Sequence, residues 1–150
     1  MTAPPSIAFA PIEDGDVEAV VELWTRCGLL RPQNDPHRDI AFARAGPASA
    51  VLVGRCDGRI VASVMVGHDG HRGVVYYLSV DPDRQGEGLG RATVAAAEAW
   101  LAERGVWKLN LMIRDDNARV RGFYQAIGYE TEPRIVMSRR LEPSRPPKRR

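Results

Sequence analysis

The chain contains few residues of the kinds that mark specialised protein classes. It has 2 cysteines among 150 residues, neither in a CxxC spacing, and only 7% of its residues are aromatic. Two cysteines do not make a disulfide framework in a chain of this length. The chain also lacks an apolar run near the roughly 18 residues that a membrane-spanning helix requires. A disulfide-stapled scaffold and a membrane partner are therefore not expected.

The first residues lack the features of a secretory leader. Met1–Ser6 contains neither a basic segment nor an apolar segment, and a signal peptide needs both. The 3 histidines and 2 cysteines are scattered along the chain, so no zinc-ligand spacing occurs. We expect a cytoplasmic protein without a bound metal.

Charge of one sign is lacking as well, because 21 Lys and Arg stand against 19 Asp and Glu. The small surplus lies in the last ten residues, which contain Arg145, Lys148, Arg149 and Arg150 against Glu142. A basic run among prolines is usually a solvated tail. The rest of the chain is nearly neutral, which argues against a broad nucleic-acid-binding face.

A chain of this size fits one domain. We predict a single domain over residues 1–141, with a flexible start over 1–5 and a disordered basic tail over 142–150. In the first half, apolar residues repeat at helical spacing between a cap at Asp14 and a stop at Gly28. A short helix is predicted over His37–Arg44. The predicted strands lie around Ile7, Phe9 and Pro11, over Ala50–Gly54 and over Arg59–Val66.

The second half alternates strands and helices. Asp57-Gly58 between two apolar runs predicts a hairpin with a type I′ turn. Glycines close both later helices. The predicted elements are a strand Val74–Val80, a loop Asp81–Gly90, a helix Arg91–Arg104, a strand Trp107–Ile113, a helix from a cap within Asp115–Asn117 to about Ile127, and a last strand Val136–Leu141. This order predicts one mixed α/β sheet with helices on both faces.

The glycine-rich segment after the strand Val74–Val80 is the most informative part of the chain. Gly86, Gly88 and Gly90 alternate between Arg84 and Arg91, directly before a helix. Free N–H groups at a helix start, approached closely through glycine, form a cradle for phosphate. Neither the P-loop sequence nor a complete G-x-G-x-x-G occurs. The alternative is a loop that only turns the chain and holds no phosphate.

Two motifs link the chain to a known family. Gln85-x-x-Gly88-x-Gly90, preceded by Leu78-Ser79-Val80-Asp81-Pro82, resembles motif A of the GNAT N-acetyltransferases. The stretch from Asn117 to Tyr129, Asn-Ala-Arg-Val-Arg-Gly-Phe-Tyr-Gln-Ala-Ile-Gly-Tyr, resembles their motif B. The chain resembles most closely the small bacterial YpeA-type members. The resemblance implies a mostly antiparallel central sheet flanked by helices, with splayed strands that form an acyl-CoA cleft.

The resemblance also implies an activity, the transfer of an acetyl group from acetyl-CoA to a primary amine by direct attack in a ternary complex. The Leu78 backbone would hold the thioester, Asn117 would bond near the thiol and Tyr124 would act as general acid. A fixed N–H stabilises a tetrahedral oxyanion. The implied cofactor-binding residues are Leu78, Ser79, Val80, Arg84, Gln85, Gly86, Glu87, Gly88, Leu89, Gly90, Arg91, Asn117 and Tyr124.

The acceptor and the general base stay open. Candidate acceptor residues are Trp24, Asn34, Asp35, Asp39, His71 and Tyr76, although Trp24 has the spacing of a core residue. If Asp35 and Asp39 face the cleft, a cationic amine is favoured. If Arg31 and Arg72 face it, an acceptor with a carboxylate is favoured. The base candidates are His68, His71, Tyr76, Asp35, Asp39 and a water relay.

Two functions from different classes fit these motifs. An N-acetyltransferase acting on a small-molecule or peptide amine needs both the glycine loop and Tyr124. A non-catalytic acyl-CoA sensor or interaction module needs only the loop. Because both features are present, the enzyme is favoured. The family resemblance also allows a homodimer, by analogy alone.

Overall fold

The computed structural model describes residues 6–142, and the chain divides into two compact units, Met1–Leu111 and Met112–Arg150. The first unit contains one five-stranded sheet of order β1-β2-β3-β4-β5. Its strands are β1 (Ala8–Pro11), β2 (Ser49–Cys56), β3 (Arg59–His68), β4 (Gly73–Val80) and β5 (Leu109–Asn110). Only β4 and β5 pair in parallel. The prediction of a mixed, mostly antiparallel sheet is confirmed.

Among residues 6–142, three α-helices belong to the first unit and one to the second. They are α1 (Val17–Arg26), α2 (Pro36–Arg44), α3 (Leu89–Glu103) and, in the second unit, α4 (Ala118–Ala126). Trp24 of α1 and Ile40 of α2 pack with Val53 on one face of the sheet. Leu101 of α3 packs with Val64 on the other. Helices therefore cover both faces, as predicted.

Local chemistry explains the first-unit elements. Asp57 and Gly58 have φ of 51° and 78° between β2 and β3, as the predicted type I′ turn requires. Asp35 begins α2, since its carboxylate accepts the N–H groups of His37 and Arg38 at 3.0 and 3.3 Å.

The predicted cap at Asp14 is wrong. The Asp16 carboxylate accepts the Glu13 N–H at 2.9 Å, and Asp14 instead pairs with Arg44.

Two further boundaries differ from prediction. α3 begins at Leu89 rather than Arg91, because Gly88 already provides the left-handed cap. The predicted strand Trp107–Ile113 is reduced to Leu109–Asn110, paired with Val74 and Gly73. Trp107 and Met112 are exposed.

The predicted strand Val136–Leu141 is wrong: within the described residues, this stretch has no ladder partner. Val136, Met137 and Leu141 are exposed, and β propensity forms no strand without a neighbour to pair with.

The remaining predictions concern the domain bounds, the two chain ends and membrane spans. The single domain over residues 1–141 stays a prediction. The predicted flexible start 1–5 and, except for Glu142, the predicted tail 142–150 lie outside the described residues. Across residues 6–142, no helix has both the length and the apolar character of a membrane span.

Candidate functional site

The central feature of the first unit is a bulge in β4. Ser79 faces Ser63 and Tyr76 faces Met65, so two β4 residues, Tyr77 and Leu78, lie opposite one β3 residue. Tyr77 has a φ of 55°, which is uncommon for a bulky residue and favours a local break in the ladder. The bulge therefore interrupts the pairing of β4 next to the Leu78 backbone.

The other edge of β4 loses its neighbour near the same place. β5 pairs with β4 only at Gly73 and Val74, whereas β4 continues to Val80. In the described part of the sheet, the edge of β4 beyond Val74 therefore has no paired strand. An uncovered edge offers N–H and C=O groups to an extended ligand.

The bulge also changes which way the β4 side chains point. Tyr77 packs in the cluster on the α1–α2 face, and Leu78 packs in the cluster on the α3 face. Tyr76 lies with α2 residues around one groove. Two consecutive tyrosines thus share one face, which a regular strand forbids.

Tyr77 is fixed by two side chains. Its ring stacks on Trp24 at 3.9 Å with 2° between the planes. Its hydroxyl donates to Asp39 Oδ2 at 2.6 Å. Burial, and then Asp39, raise the pKa of Tyr77 above its ordinary value, so the phenol stays protonated at neutral pH. This Trp24–Tyr77–Asp39 clamp holds the bulge residue in place.

Sequence reasoning did not identify Tyr77. The available signal was two adjacent aromatic residues inside a predicted strand, which breaks the alternation of a regular strand. Trp24, a predicted acceptor residue, is 0% exposed and lies in the core, in agreement with its spacing.

The loop after β4 is held to α1 by charged groups. Arg26 of α1 donates to Asp81 at 2.9 Å and to Asp83 at 3.1 Å. The Asp81 carboxylate also accepts the N–H of Asp83 at 2.9 Å. This bond, followed by Arg26, lowers the pKa of Asp81. Gln85 extends the bracing, since its side-chain amide donates to the Val80 carbonyl at 3.1 Å.

Two glycines leave open space at the start of α3. Gly86 and Gly88 have φ of 81° and 79°, and a Cβ added at either would meet nothing within 4 Å. The backbone conformation, rather than crowding, calls for glycine there, and the space above it is open. The first bond of α3 runs from the Ala92 N–H to the Gly88 carbonyl. The N–H groups of Leu89, Gly90 and Arg91 therefore precede that bond, as at any helix start.

One predicted cofactor residue already has a partner. Arg84 donates to Glu87 at 2.8 and 3.1 Å. The pair raises the pKa of Arg84 and lowers that of Glu87. The positive charge of Arg84 is therefore partly neutralised within the loop, whereas Arg91 is an exposed residue in the first turn of α3.

The second unit contains the two motif B candidates. The Asn117 side chain accepts the Val120 N–H at 3.1 Å and caps α4. Tyr124 is 6% exposed, with edge-on ring contacts to Phe123 and Tyr129. Burial raises the pKa of Tyr124 to about 12.

The acceptor candidates separate into two groups. Asp39 and Tyr76 line one groove of about 490 Å³ in the first unit. Asn34 and Asp35 belong to the turn and cap before α2. His71 is exposed in the turn between β3 and β4, where its N–H donates to Asp69. Asn34, Asp35 and His71 do not line the groove.

Comparison with known proteins gives one consistent family. Residues 17–129 match the model of the Acetyltransferase (GNAT) family. A Yersinia pestis protein named acetyltransferase is 45% identical over 129 residues, which cover 86% of this chain and 92% of that protein. A Pectobacterium atrosepticum acetyltransferase is 47% identical over 126 residues, covering 84% of this chain and 89% of that protein.

A solved structure shows the same fold. AAC(6')-Iy, in complex with the bisubstrate analog CoA-S-monomethyl-acetylneamine, superimposes with a TM-score of 0.76 at 16% identity. The match covers 90% of this chain and 98% of that one. The mixed sheet and its helices are thus shared with a structure whose ligand includes CoA.

Proposed function

The chain belongs to the GNAT family of acetyltransferases, and we propose that it transfers an acetyl group from acetyl-CoA to a primary amine by direct attack in a ternary complex. The observation that carries this proposal is the edge of β4 that β5 leaves uncovered beyond Val74, beside the bulge at Tyr77 and Leu78 and immediately before an open glycine loop. An extended ligand with a phosphate end and a thioester end matches that order of backbone groups.

Leu78 is proposed as the oxyanion donor. The neutral amine nitrogen forms a bond to the thioester carbonyl carbon and the carbonyl oxygen gains negative charge. The nitrogen gives its extra proton to water, and the C–S bond then breaks with departure of the thiolate. The bulge leaves Leu78 without a register partner on β3, and its backbone N–H is the group proposed for this role. A single preorganised donor of this type contributes about 10²–10³-fold in rate.

Ser79 and Val80 continue the edge of β4 and are proposed to bond the pantetheine arm. The N–H groups from Gly86 to Arg91 are proposed to hold the pyrophosphate, since a helix start combines free donors with a positive dipole end. The open space above Gly86 and Gly88 fits such a ligand. The Gln85 side chain stabilises the loop through its hydrogen bond to the Val80 carbonyl.

Tyr124 is proposed to meet the departing thiolate after the C–S bond breaks, with Asn117 bonding near the same sulfur. With a pKa of about 12, complete proton transfer to a thiolate of pKa about 8.5 would be uphill by roughly 5 kcal/mol. A hydrogen bond from the phenol requires no such transfer. We therefore assign Tyr124 first as a hydrogen-bond donor that stabilises the leaving charge.

The experiment follows free thiol release from acetyl-CoA with a panel of amines. We expect Tyr124→Phe to lower kcat at least 10-fold, with CoA affinity changed by no more than a few-fold. Tyr129→Phe removes a neighbouring hydroxyl and serves as the matched control. Unchanged turnover in Tyr124→Phe would remove Tyr124 from the mechanism. Tight CoA binding without release on any amine would favour the acyl-CoA sensor.

The cellular setting and the oligomeric state are proposed as well. Cys27 and Cys56 are free thiols, which fits a reducing cytoplasm with a supply of acetyl-CoA. A homodimer stays a proposal by analogy with the family. Both are checked directly, by cell fractionation and by mass measurement in solution.

A further inference from the structure

We infer that the acceptor is a cationic amine carried on an apolar group, with no carboxylate beside the nitrogen, and that it binds in the groove between α2 and the ends of β2–β4. This inference rests on the proposed acetyl transfer and names its substrate class. Three observations support it. The groove is lined mostly by apolar residues, one carboxylate lies in it, and the bulge residues connect it to Leu78.

The groove walls are mostly apolar. They are formed by α2, by the loop that follows it, and by β2, β3 and β4, with a volume of about 490 Å³. Phe42 and Tyr76 stand at the walls with 83% and 45% of their surface exposed, and Met65 is half-buried between the strands. Large exposed apolar side chains around a concavity indicate an apolar partner.

Asp39 supplies the charge. Among the described residues that line the groove, it is the one that carries a formal charge. Its Oδ2 accepts the Tyr77 hydroxyl at 2.6 Å, and a carboxylate has about four acceptor positions. Asp39 therefore retains capacity for an ammonium group, and it would repel a carboxylate on the same ligand.

The two arginines that would favour an anionic acceptor are held away from the groove lining. Arg31 donates to the Gly28 and Leu30 carbonyls at 2.9 and 3.0 Å. Arg72 lies over the Trp107 ring at 4.4 Å from its centroid. Neither lines the groove. The structure thus favours the cationic alternative over an amino acid with a free carboxylate.

The bulge connects this groove to the reacting position. Tyr76 lines the groove, Tyr77 holds Asp39, and Leu78 follows directly in the chain. The Tyr77 side chain therefore joins the carboxylate that would hold the ammonium to the strand segment that is proposed to hold the thioester. The ammonium would lose its proton to water before the neutral nitrogen attacks. The same bulge places both tyrosines on the groove face and leaves Leu78 without a register partner on β3.

Matched acceptors test the class. We would measure kcat/KM for 2-phenylethylamine, phenylalanine, ethanolamine and the dipeptide amide phenylalanyl-alanine amide. We expect the first and last to exceed phenylalanine and ethanolamine by at least 10-fold. The ratio between 2-phenylethylamine and the dipeptide amide distinguishes a small-molecule source from a peptide N-terminus. Equal rates across the four acceptors would overturn the inference.

Variants locate the site. Asp39→Asn keeps an acceptor for Tyr77 but removes the charge, and we expect a 10- to 100-fold loss of affinity for 2-phenylethylamine by calorimetry. Phe42→Ser is expected to weaken the same binding with little change in Tm. Asp57→Asn removes a carboxylate from the β2–β3 turn, where asparagine is equally suited, and is the control.

Calorimetry separates the two proposals. If the amine binds through Asp39 but no acetyl is transferred, the groove assignment stands and the enzyme proposal fails. If acetyl transfer occurs but Asp39→Asn changes neither binding nor kcat/KM, the groove assignment fails alone. If Phe42→Ser converts a dimer to a monomer in solution, the groove is an interface between copies and the inference is overturned.

Discussion

At the scale of single residues, the loop after β4 contains its own counterion. Glu87 holds Arg84, so a pyrophosphate bound at the proposed cradle would compete with a carboxylate for the same guanidinium. Because this pair is partly exposed, solvent screens it and its contribution is small. At the proposed site, Glu87 would therefore modulate affinity for the co-substrate rather than block its binding.

Glu87→Gln should tighten CoA binding. Removal of one negative charge beside the proposed phosphate site releases Arg84, and we expect Kd to fall about two- to five-fold. The gain should shrink at high salt, since exposed charges are screened. Titration calorimetry at two salt concentrations measures both effects. Glu130→Gln is the matched control, and an unchanged Kd in Glu87→Gln would exclude Arg84 from the site.

A second residue-scale prediction concerns Asp81 and acid. Its pKa is lowered in the folded protein by the Asp83 N–H and then by Arg26, so its ionisation stabilises the fold above the ordinary aspartate pKa, about 3.9. That stability is lost as the pH falls through the lower, folded-state pKa. Asp81→Asn keeps the hydrogen-bond acceptor and removes the charge.

We therefore expect Asp81→Asn to lower Tm at pH 7 by a few degrees, roughly 2–4 °C. The difference from the unmodified protein should narrow in acid below about pH 4. Thermal unfolding between pH 3 and pH 7 measures the difference. A constant gap over this range would show that the charge of Asp81 does not stabilise the fold.

At the scale of elements, two glycines beside α3 allow the effect of backbone strain to be distinguished from a loss of ligand binding. Gly88 and Gly105 both have positive φ, 79° and 82°, and both have open space for a Cβ. An alanine at either position adds similar strain, on the order of 1 kcal/mol. Only Gly88 belongs to the proposed phosphate cradle.

Gly88→Ala and Gly105→Ala should therefore lower Tm by similar amounts, whereas only Gly88→Ala should weaken CoA binding, by 10-fold or more. The methyl group would occupy the space in which the backbone approaches the phosphate. Differential scanning fluorimetry and calorimetry on the two variants provide the comparison. Equal CoA affinity in both would argue against a phosphate site at this helix start.

The elements also show what local patterns predict. The β2–β3 hairpin, the body of α1 and the helix α4 follow from turn residues, periodicity and terminal glycines, whereas α2 begins at a cap, Asp35, that the sequence analysis did not use. The strand Val136–Leu141 failed as a prediction because strand formation depends on a partner. The extent of β5 failed for the same reason, since only Leu109 and Asn110 find partners on β4.

At the scale of the whole molecule, the order of elements predicted the sheet and its helices, and the two motifs together with that order predicted the family. The glycine loop was predicted because its residues are contiguous. The groove was not predicted, because its lining comes from α2 and from strands that lie later in the chain. Only folding places Phe42 near Tyr76. The clamp of Trp24, Tyr77 and Asp39 was missed for the same reason, although two of its members were acceptor candidates.

The clamp has an optical consequence. Trp24 is completely buried and stacks on the bulge residue Tyr77, whereas Trp107 is 76% exposed and Trp100 lies beneath the Arg104 guanidinium. Indole emission depends on polarity and on stacked neighbours, so the three tryptophans differ as fluorophores. Trp24 is thus an intrinsic reporter of the strand segment proposed to hold the thioester, and a change in its emission would register movement of the bulge without any added label.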